Sequence, residues 1–170
     1  GIAGITVDSK GNLYIADENA NAIRKVSPEG VISTAVGRSA GLANPADVAV
    51  DSMGNLYIAD FNNCGIVKVT PAGDIRVIAT ICCPTAVAVD PAGNVYFADS
   101  LIFLPGSGFI HKVAPDGTVS VACPAPEETY GLAVDSASTL YIADWSGIWR
   151  VDPQGSLTKV PCPPGVTDVA

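Results

Sequence analysis

The sequence is poor in the groups on which many enzymes and metal sites depend. Its 170 residues include one histidine and no C-x-x-C pair, which argues against a structural zinc site. We find no paired nucleophile and base, no phosphate-binding loop and no cluster of metal-ligand residues. No apolar run approaches the roughly 20 residues that a membrane-spanning helix needs, so we expect no membrane insertion.

Basic residues are also scarce, and the net charge is −8. Nucleic acids and anionic membranes attract basic surfaces, so we expect neither as a partner. Apolar residues make up 48% of the chain, which is typical of a folded domain with a buried core. We expect no signal peptide in these residues. Because the chain begins Gly1-Ile2-Ala3 without Met, we expect a processed or truncated start.

Four copies of one motif run along the chain. The first Asp of each copy is followed three residues later by Gly-Asn or its counterpart and then by a β-rich segment, with spacings of 43, 39 and 45 residues between copies. The four segments are Val7–Asp17, Val50–Asp60, Val89–Asp99 and Val134–Asp144. A second landmark, a Val-x-Pro-x-Gly turn, follows in every copy at Val26–Gly30, Val69–Gly73, Val113–Gly117 and Val151–Gly155.

Each copy has the pattern of four short strands. In copy one we predict strand a at 4–7, strand b at 13–16, strand c at 23–26 and strand d at 31–36, because these segments are β-branched or aromatic and are bounded by turn residues. No segment shows a helical apolar period of adequate length. Strands a and b are almost continuously apolar, so neighbouring copies must cover both faces. This predicts an all-β fold, a β-propeller of four-stranded antiparallel blades.

The segments Asp-x-x-Gly-Asn-Leu-Tyr-Ile-Ala-Asp and Ile-x-Lys-Val resemble the NHL repeat family. The resemblance implies a propeller, commonly of six blades, that works as a sensor, scaffold or ligand-binding domain and less often as an enzyme. Copy four departs from the pattern, with Ser138-Thr139 in place of Gly-Asn. We place the blades at about 1–41, 42–81, 82–127 and 128–163, with a fifth beginning at 164–170.

Four blades are fewer than the family's common number. We therefore expect the chain to be a segment of a larger propeller, or one closed by another chain through self-association. A self-contained four-bladed ring is the alternative. An open array would leave two apolar blade faces exposed.

Strand order divides the loops between two rims. The a–b and c–d turns lie on one, which we call the turn rim. The b–c and d–a connections, residues 18–22 and 37–44 in copy one and their counterparts, lie on the other, which we call the variable rim. Variable loops on a rigid scaffold are where recognition is usually found.

All five cysteines map to the variable rim, Cys64 in a b–c loop and Cys82, Cys83, Cys123 and Cys162 in d–a connections. A bridge from Cys64 to Cys82 or Cys83 would close a loop of about 20 residues and contribute about 3 kcal/mol. Thiols packed among apolar loops are the alternative. Five cysteines would allow two disulfides and one free thiol in a secreted protein, and in the cytosol they would be small buried residues or ligands. Of the two settings, we predict an extracellular or periplasmic location.

The candidate binding residues lie on the variable rim. The b–c loop of copy three is the longest and contains Leu101-Ile102-Phe103-Leu104, followed by Phe109. These side chains fit a contact surface for a partner, or they fold back to plug the axis or cover a blade. Further candidates are Trp145, a possible aromatic platform, and Phe61 with Asn62.

An aspartate ends strand b in every copy, at Asp17, Asp60, Asp99 and Asp144. A ring of carboxylates would suit Ca²⁺ as a cofactor. Because the residue recurs in every blade, we favour a local role in which each carboxylate caps its own b–c loop.

The leading hypothesis is a non-catalytic propeller that recognises a protein, peptide or glycan through the variable rim. The alternatives are a metal-dependent propeller lyase or lactonase, and a purely structural segment of a larger protein.

Overall fold

The computed structural model describes residues 1–99, 108–125, 129–152 and 154–161, which form four antiparallel four-stranded sheets. Blade one contains β1 (Ile2–Val7), β2 (Leu13–Asp17), β3 (Ala22–Val26) and β4 (Ile32–Val36). Blade two contains β5 (Pro45–Val50), β6 (Leu56–Asp60), β7 (Gly65–Val69) and β8 (Ile75–Thr80). Blade three contains β9 (Pro84–Val89), β10 (Val95–Asp99), β11 (Phe109–Val113) and β12 (Val119–Pro124). Blade four contains β13 (Thr129–Val134), β14 (Leu140–Asp144), β15 (Gly147–Val151) and β16 (Leu157–Lys159).

The four blades are arranged as a β-propeller, which confirms the predicted fold. The inner strands β1, β5, β9 and β13 pack side by side in that order. Helical structure within the described residues is confined to one 3₁₀ turn, Arg38–Ala40, and none of it is long and apolar enough to cross a membrane.

The a–b turn of each blade is organised by the first Asp of the repeat. In blade two, Asp51 Oδ1 accepts hydrogen bonds from the backbone N–H groups of Met53 (2.9 Å) and Asn55 (2.8 Å). Its Oδ2 accepts from Asn55 Nδ2 (2.7 Å) and from the Tyr57 hydroxyl (3.0 Å). Asp8, Asp90 and Asp135 accept bonds from the matching Tyr hydroxyls and backbone N–H groups. One carboxylate thus fixes both the turn and the start of strand b.

The same turn requires a left-handed residue. Gly54 has φ +83°, and in blade four Ser138 takes the equivalent position with φ +63°. Copy four therefore changes the residue at this position but keeps the left-handed backbone conformation.

Apolar side chains fill the three junctions between consecutive blades. At the first junction Ile23 of blade one packs in a cluster with Val48 and Ile58 of blade two. The equivalent clusters centre on Ile66 with Phe97 and on Ile110 with Ile142. Ile23, Ile66 and Ile110 are all fully buried. At about 25 cal/mol per Å² of apolar surface, these junctions supply the main stabilisation of the array.

The two terminal blades show what happens where this cover is lacking. Ile5 of β1 stands at the position of Val48 in β5, yet it is 59% exposed where Val48 is 2% exposed. Ile148 of β15 stands at the position of Ile23, yet it is 49% exposed. The leading face of blade one and the trailing face of blade four therefore present apolar surface that a further blade would cover.

We predict that Asp51→Ala lowers the free energy of unfolding by about 2–3 kcal/mol, because a buried tyrosine hydroxyl and an amide lose their charged acceptor. Asp74→Ala is the control, since Asp74 bonds only within the exposed c–d turn around Thr70. We expect it to change stability by less than about 1 kcal/mol. Urea denaturation of the two variants checks this, and equal effects would contradict the role of Asp51.

We also predict that the chain self-associates through the two uncovered faces. Light scattering should give a mass above that of one chain, and Ile5→Lys or Ile148→Lys should shift the mass toward the monomer because a charge cannot be buried at that contact. Met53→Lys is the control, because Met53 is 73% exposed but belongs to the turn rim. A wild-type chain that is monomeric at tens of micromolar would contradict the prediction.

Candidate functional site

The variable rim brings aromatic side chains from three consecutive blades to one side of the molecule. Phe61, directly after β6, is half-buried, and the neighbouring Asn62 is exposed while its backbone N–H donates to the Ala43 carbonyl (3.0 Å). Phe109, the first residue of β11, is 41% exposed, and Trp145, directly after β14, is 67% exposed. The predicted contact residues Leu101, Ile102, Phe103 and Leu104 lie outside the described residues.

The strand-end aspartates bond within the chain. Asp17 and Asp144 each accept a hydrogen bond from a backbone N–H of their own b–c loop, from Ala20 (3.1 Å) and Ser146 (2.7 Å) respectively. Asp99 accepts one from the N–H of Phe109 (2.6 Å), the first residue of β11. Asp60 accepts instead from Ala43 N (2.7 Å), in the connection that leads from blade one into blade two. These carboxylates therefore bond to the described loops of the variable rim and, in blade three, to the start of β11.

The second oxygen of each strand-end carboxylate is also bonded, and the donor differs between blades. Arg24 Nε (3.1 Å), His111 Nε2 (3.1 Å) and Trp149 Nε1 (2.9 Å) occupy the same position in strand c and contact Asp17, Asp99 and Asp144. Blade two has Val67 at this position, and Asn63 Nδ2 contacts Asp60 at 2.8 Å instead. Within the described residues, no three of these carboxylates come close enough together to share an ion.

The inner strands line an open axial cavity of about 350 Å³, and Asp47 of β5 lies on its wall. Its Oδ2 accepts a hydrogen bond from Val87 N (2.9 Å) in the next blade, and its Oδ1 accepts from Val48 N (2.8 Å). Gly4 of β1 permits the close approach, because a Cβ there would lie 1.9 Å from Asp47 Oδ1. Burial is the main reason that the pKa of Asp47 is raised to about 6, and the two hydrogen bonds only partly offset it.

Sequence reasoning missed Asp47. The sequence did contain a signal, because only one of the four described blades has a carboxylate at this inner-strand position. The equivalent residues are Gly4, Ala86 and Gly131. The signal was not recognised because only the packed propeller shows that this position faces the axis.

The cysteines separate into two groups. The Sγ atoms of Cys64, Cys82 and Cys83 all lie within 4.8 Å of one another on the variable rim between blades two and three. Cys123 was predicted in a d–a connection, and this is wrong: it lies inside strand β12 and is 3% exposed. It occupies the core position that Val36 and Ala79 fill in blades one and two, so it packs as a small hydrophobic residue. Cys162 lies outside the described residues.

The family comparison agrees with the geometry. The model of the NHL repeat matches residues 42–75, which cover β5 to the start of β8. The chain is a β-propeller that carries an NHL repeat. No curated protein matches the sequence significantly.

Solved propellers resemble the chain over almost its whole length. A gluconolactonase from Xanthomonas campestris superposes with a TM-score of 0.80 at 22% identity, over 95% of this chain and 62% of that one. A chain of a nidogen/laminin complex gives 0.78 at 22% identity, over 91% of this chain and 61% of that one. Virginiamycin B lyase from Staphylococcus aureus gives 0.72 at 21% identity, over 97% of this chain and 57% of that one.

This propeller thus spans about three fifths of the length of the structures it resembles. At such identities the likeness establishes the fold, and the relatives include both enzymes and a member of a protein complex.

We predict that Asp47 makes the stability of the propeller depend on pH. Since the folded pKa is about 6 and the unfolded value is near 3.8, the folded chain binds this proton more tightly. The contribution of Asp47 to the free energy of unfolding is then complete below about pH 4. It is lost as the pH rises through about 6, and the loss is at most about 3 kcal/mol. Urea denaturation at intervals from pH 4 to 7 measures the loss, and Asp47→Asn should remove it.

Asp116→Asn is the control, because the backbone N–H of Thr118 lowers the pKa of Asp116. Its contribution is present above the unfolded pKa and is lost only as the pH falls below about 4, outside the measured interval. If Asp47→Asn and the wild type show the same slope between pH 4 and 7, the axial carboxylate is not the source.

Proposed function

We propose that this chain is a non-catalytic propeller that binds a protein partner through the variable rim. The observation that carries the proposal is the display of Phe61, Phe109 and Trp145 on that rim by blades two, three and four. Aromatic side chains dominate the energetics of protein interfaces because they bury a large area at a small cost in conformational entropy. Asn62 adds an exposed amide beside them.

Hydrogen bonds hold the backbone beside two of these aromatic residues, which favours recognition. Asp99 accepts a hydrogen bond from the backbone N–H of Phe109 itself, at the start of β11, and Asp144 accepts one from Ser146, the residue after Trp145. A pre-organised surface loses little conformational entropy when a partner binds. The net charge of −8 makes a partner with a basic or neutral contact surface more favourable than an acidic one.

The relatives are consistent with this reading but do not decide it. One is a chain of a nidogen/laminin complex, and others are a gluconolactonase and a lyase. In this chain each strand-end carboxylate is bonded to a backbone N–H and to a side chain, from strand c in three blades and from Asn63 in blade two, so these carboxylates support the structure of the rim. We therefore favour binding over the lyase or lactonase alternative, and also over a purely structural role, since the rim displays aromatic surface. The proposal includes an extracellular or periplasmic location.

We predict that the rim aromatics form the binding hot spot. Peptide-display selection on the immobilised wild-type chain supplies the probe, which is then synthesised. Trp145→Ala and Phe109→Ala should each raise its Kd at least tenfold, which corresponds to about 1.4 kcal/mol. Calorimetry or surface plasmon resonance measures the change, and thermal melts confirm that the variants are folded.

Met53→Ala is the matched control, because Met53 is a large exposed apolar residue on the turn rim. It should change Kd less than twofold. Peptides that bind the rim variants as tightly as the wild type, or that depend on Met53, would contradict a binding surface on the variable rim. A selection that yields no binder would contradict it as well.

A further inference from the structure

Three thiols meet at the junction between blades two and three. Cys64 ends the b–c loop of blade two, and Cys82 and Cys83 lie in the short connection from β8 to β9. The Ile81 N–H donates to the Cys64 carbonyl (2.9 Å), which holds the two segments together. The Sγ atoms of Cys82 and Cys83 are 3.4 Å apart, and all three Sγ atoms lie within 4.8 Å of one another.

The junction between blades one and two provides an internal comparison. Asn21 lies four residues after Asp17, as Cys64 lies four residues after Asp60, and Asn44 directly precedes Pro45, as Cys83 directly precedes Pro84. All four residues have a left-handed backbone, with φ between 49° and 57°. In the first junction a hydrogen bond joins the two asparagines, because the backbone N–H of Asn44 donates to Asn21 Oδ1 at 2.8 Å. In the second junction both asparagines are replaced by cysteine.

This replacement has a cost. Asparagine tolerates the left-handed region because its short polar side chain forms local hydrogen bonds, whereas cysteine lacks that compensation. Two cysteines therefore occupy backbone positions that favour asparagine, and a third cysteine stands next to them. Apolar packing does not account for the set, since Cys82 is exposed and Cys64 and Cys83 are only half-buried.

We propose that Cys64, Cys82 and Cys83 form a three-thiolate site for a single thiophilic metal ion of the Cu(I) or Zn(II) class. Metal–sulfur bonds of about 2.3 Å place the sulfurs of such a site about 3.8–4.0 Å apart. The observed separations, from 3.4 Å to at most 4.8 Å, bracket this value, so small side-chain rotations suffice. Thiolates select soft ions over Mg²⁺ and Ca²⁺.

Binding has a defined proton balance. The three thiols lose three protons to solvent as three metal–sulfur bonds form, and no oxidant or reductant is consumed. The exposure of Cys82 gives the ion an entry path and leaves one side open, which suits a three-coordinate Cu(I) or a fourth, solvent ligand on Zn(II). The site goes beyond the proposed function, because it requires none of the rim aromatics.

The test uses the reduced full chain under anaerobic conditions, with Zn²⁺ and Cu(I) as separate probes. Calorimetry should give one ion per chain, and Co²⁺ as a spectroscopic substitute should give thiolate charge-transfer absorption. The double variant Cys64→Asn with Cys83→Asn rebuilds the pair found at the first junction, so it should melt at or above the wild-type temperature. Its affinity for both probes should fall at least a hundredfold.

Two further variants keep the experiment decisive. Cys82→Ser changes an exposed side chain, so it should fold and lose affinity even if the double variant does not fold. Cys123→Ala is the matched control, because blade two has Ala79 at that core position, and it should bind both probes as the wild type does.

Three outcomes would overturn the proposal. One is the absence of stoichiometric binding by the reduced chain, and another is unchanged affinity in the double variant or in Cys82→Ser. The third is a disulfide between Cys64 and Cys82 or Cys83 that resists mild reductant, which denaturing thiol titration would report as fewer than five thiols per chain.

Discussion

The structure depends on the burial of each blade's face by the next blade. A four-stranded sheet with apolar side chains on both faces cannot shield itself, and its isoleucines are fully buried only where a neighbouring blade is present. The contrast between Ile23 and Ile148, which occupy the same position in blades one and four, measures this dependence directly. Blade number is therefore a property of the assembly and not of the individual repeat.

Two aspartates per repeat make the blades regular enough to stack. The first organises the a–b turn and accepts the hydroxyl of the strand-b tyrosine, and the last secures the variable rim. The last aspartate also shows how a repeat tolerates variation: arginine, histidine, tryptophan and asparagine each supply the N–H that its second oxygen needs. Because the carboxylate is satisfied in each blade, the strand-c side chain can change without loss of the loop.

The proposed binding surface and the proposed metal site both lie where the repeats differ. Three departures from the consensus lie at junctions or on the variable rim: the aromatics of blades two to four, the axial Asp47, and the replacement of the Asn21–Asn44 pair by cysteines. Because the four blades share one scaffold, these departures stand out when equivalent positions of the blades are compared within this chain. The fold alone does not identify such positions, because enzymes and a member of a protein complex share it.

The sequence alone determined the repeat, the four strands of each copy and the assignment of loops to two rims, since turn residues and β-branched runs act locally. It also offered a bridge from Cys64 to Cys82 or Cys83 as one of two alternatives. It placed Cys123 wrongly in a connection, because a small apolar residue fits the end of a strand as well as the connection that follows it. Only the tertiary structure showed that Asp47 faces the axis, that three thiols converge and that the faces at Ile5 and Ile148 are uncovered, because these depend on how separate blades pack.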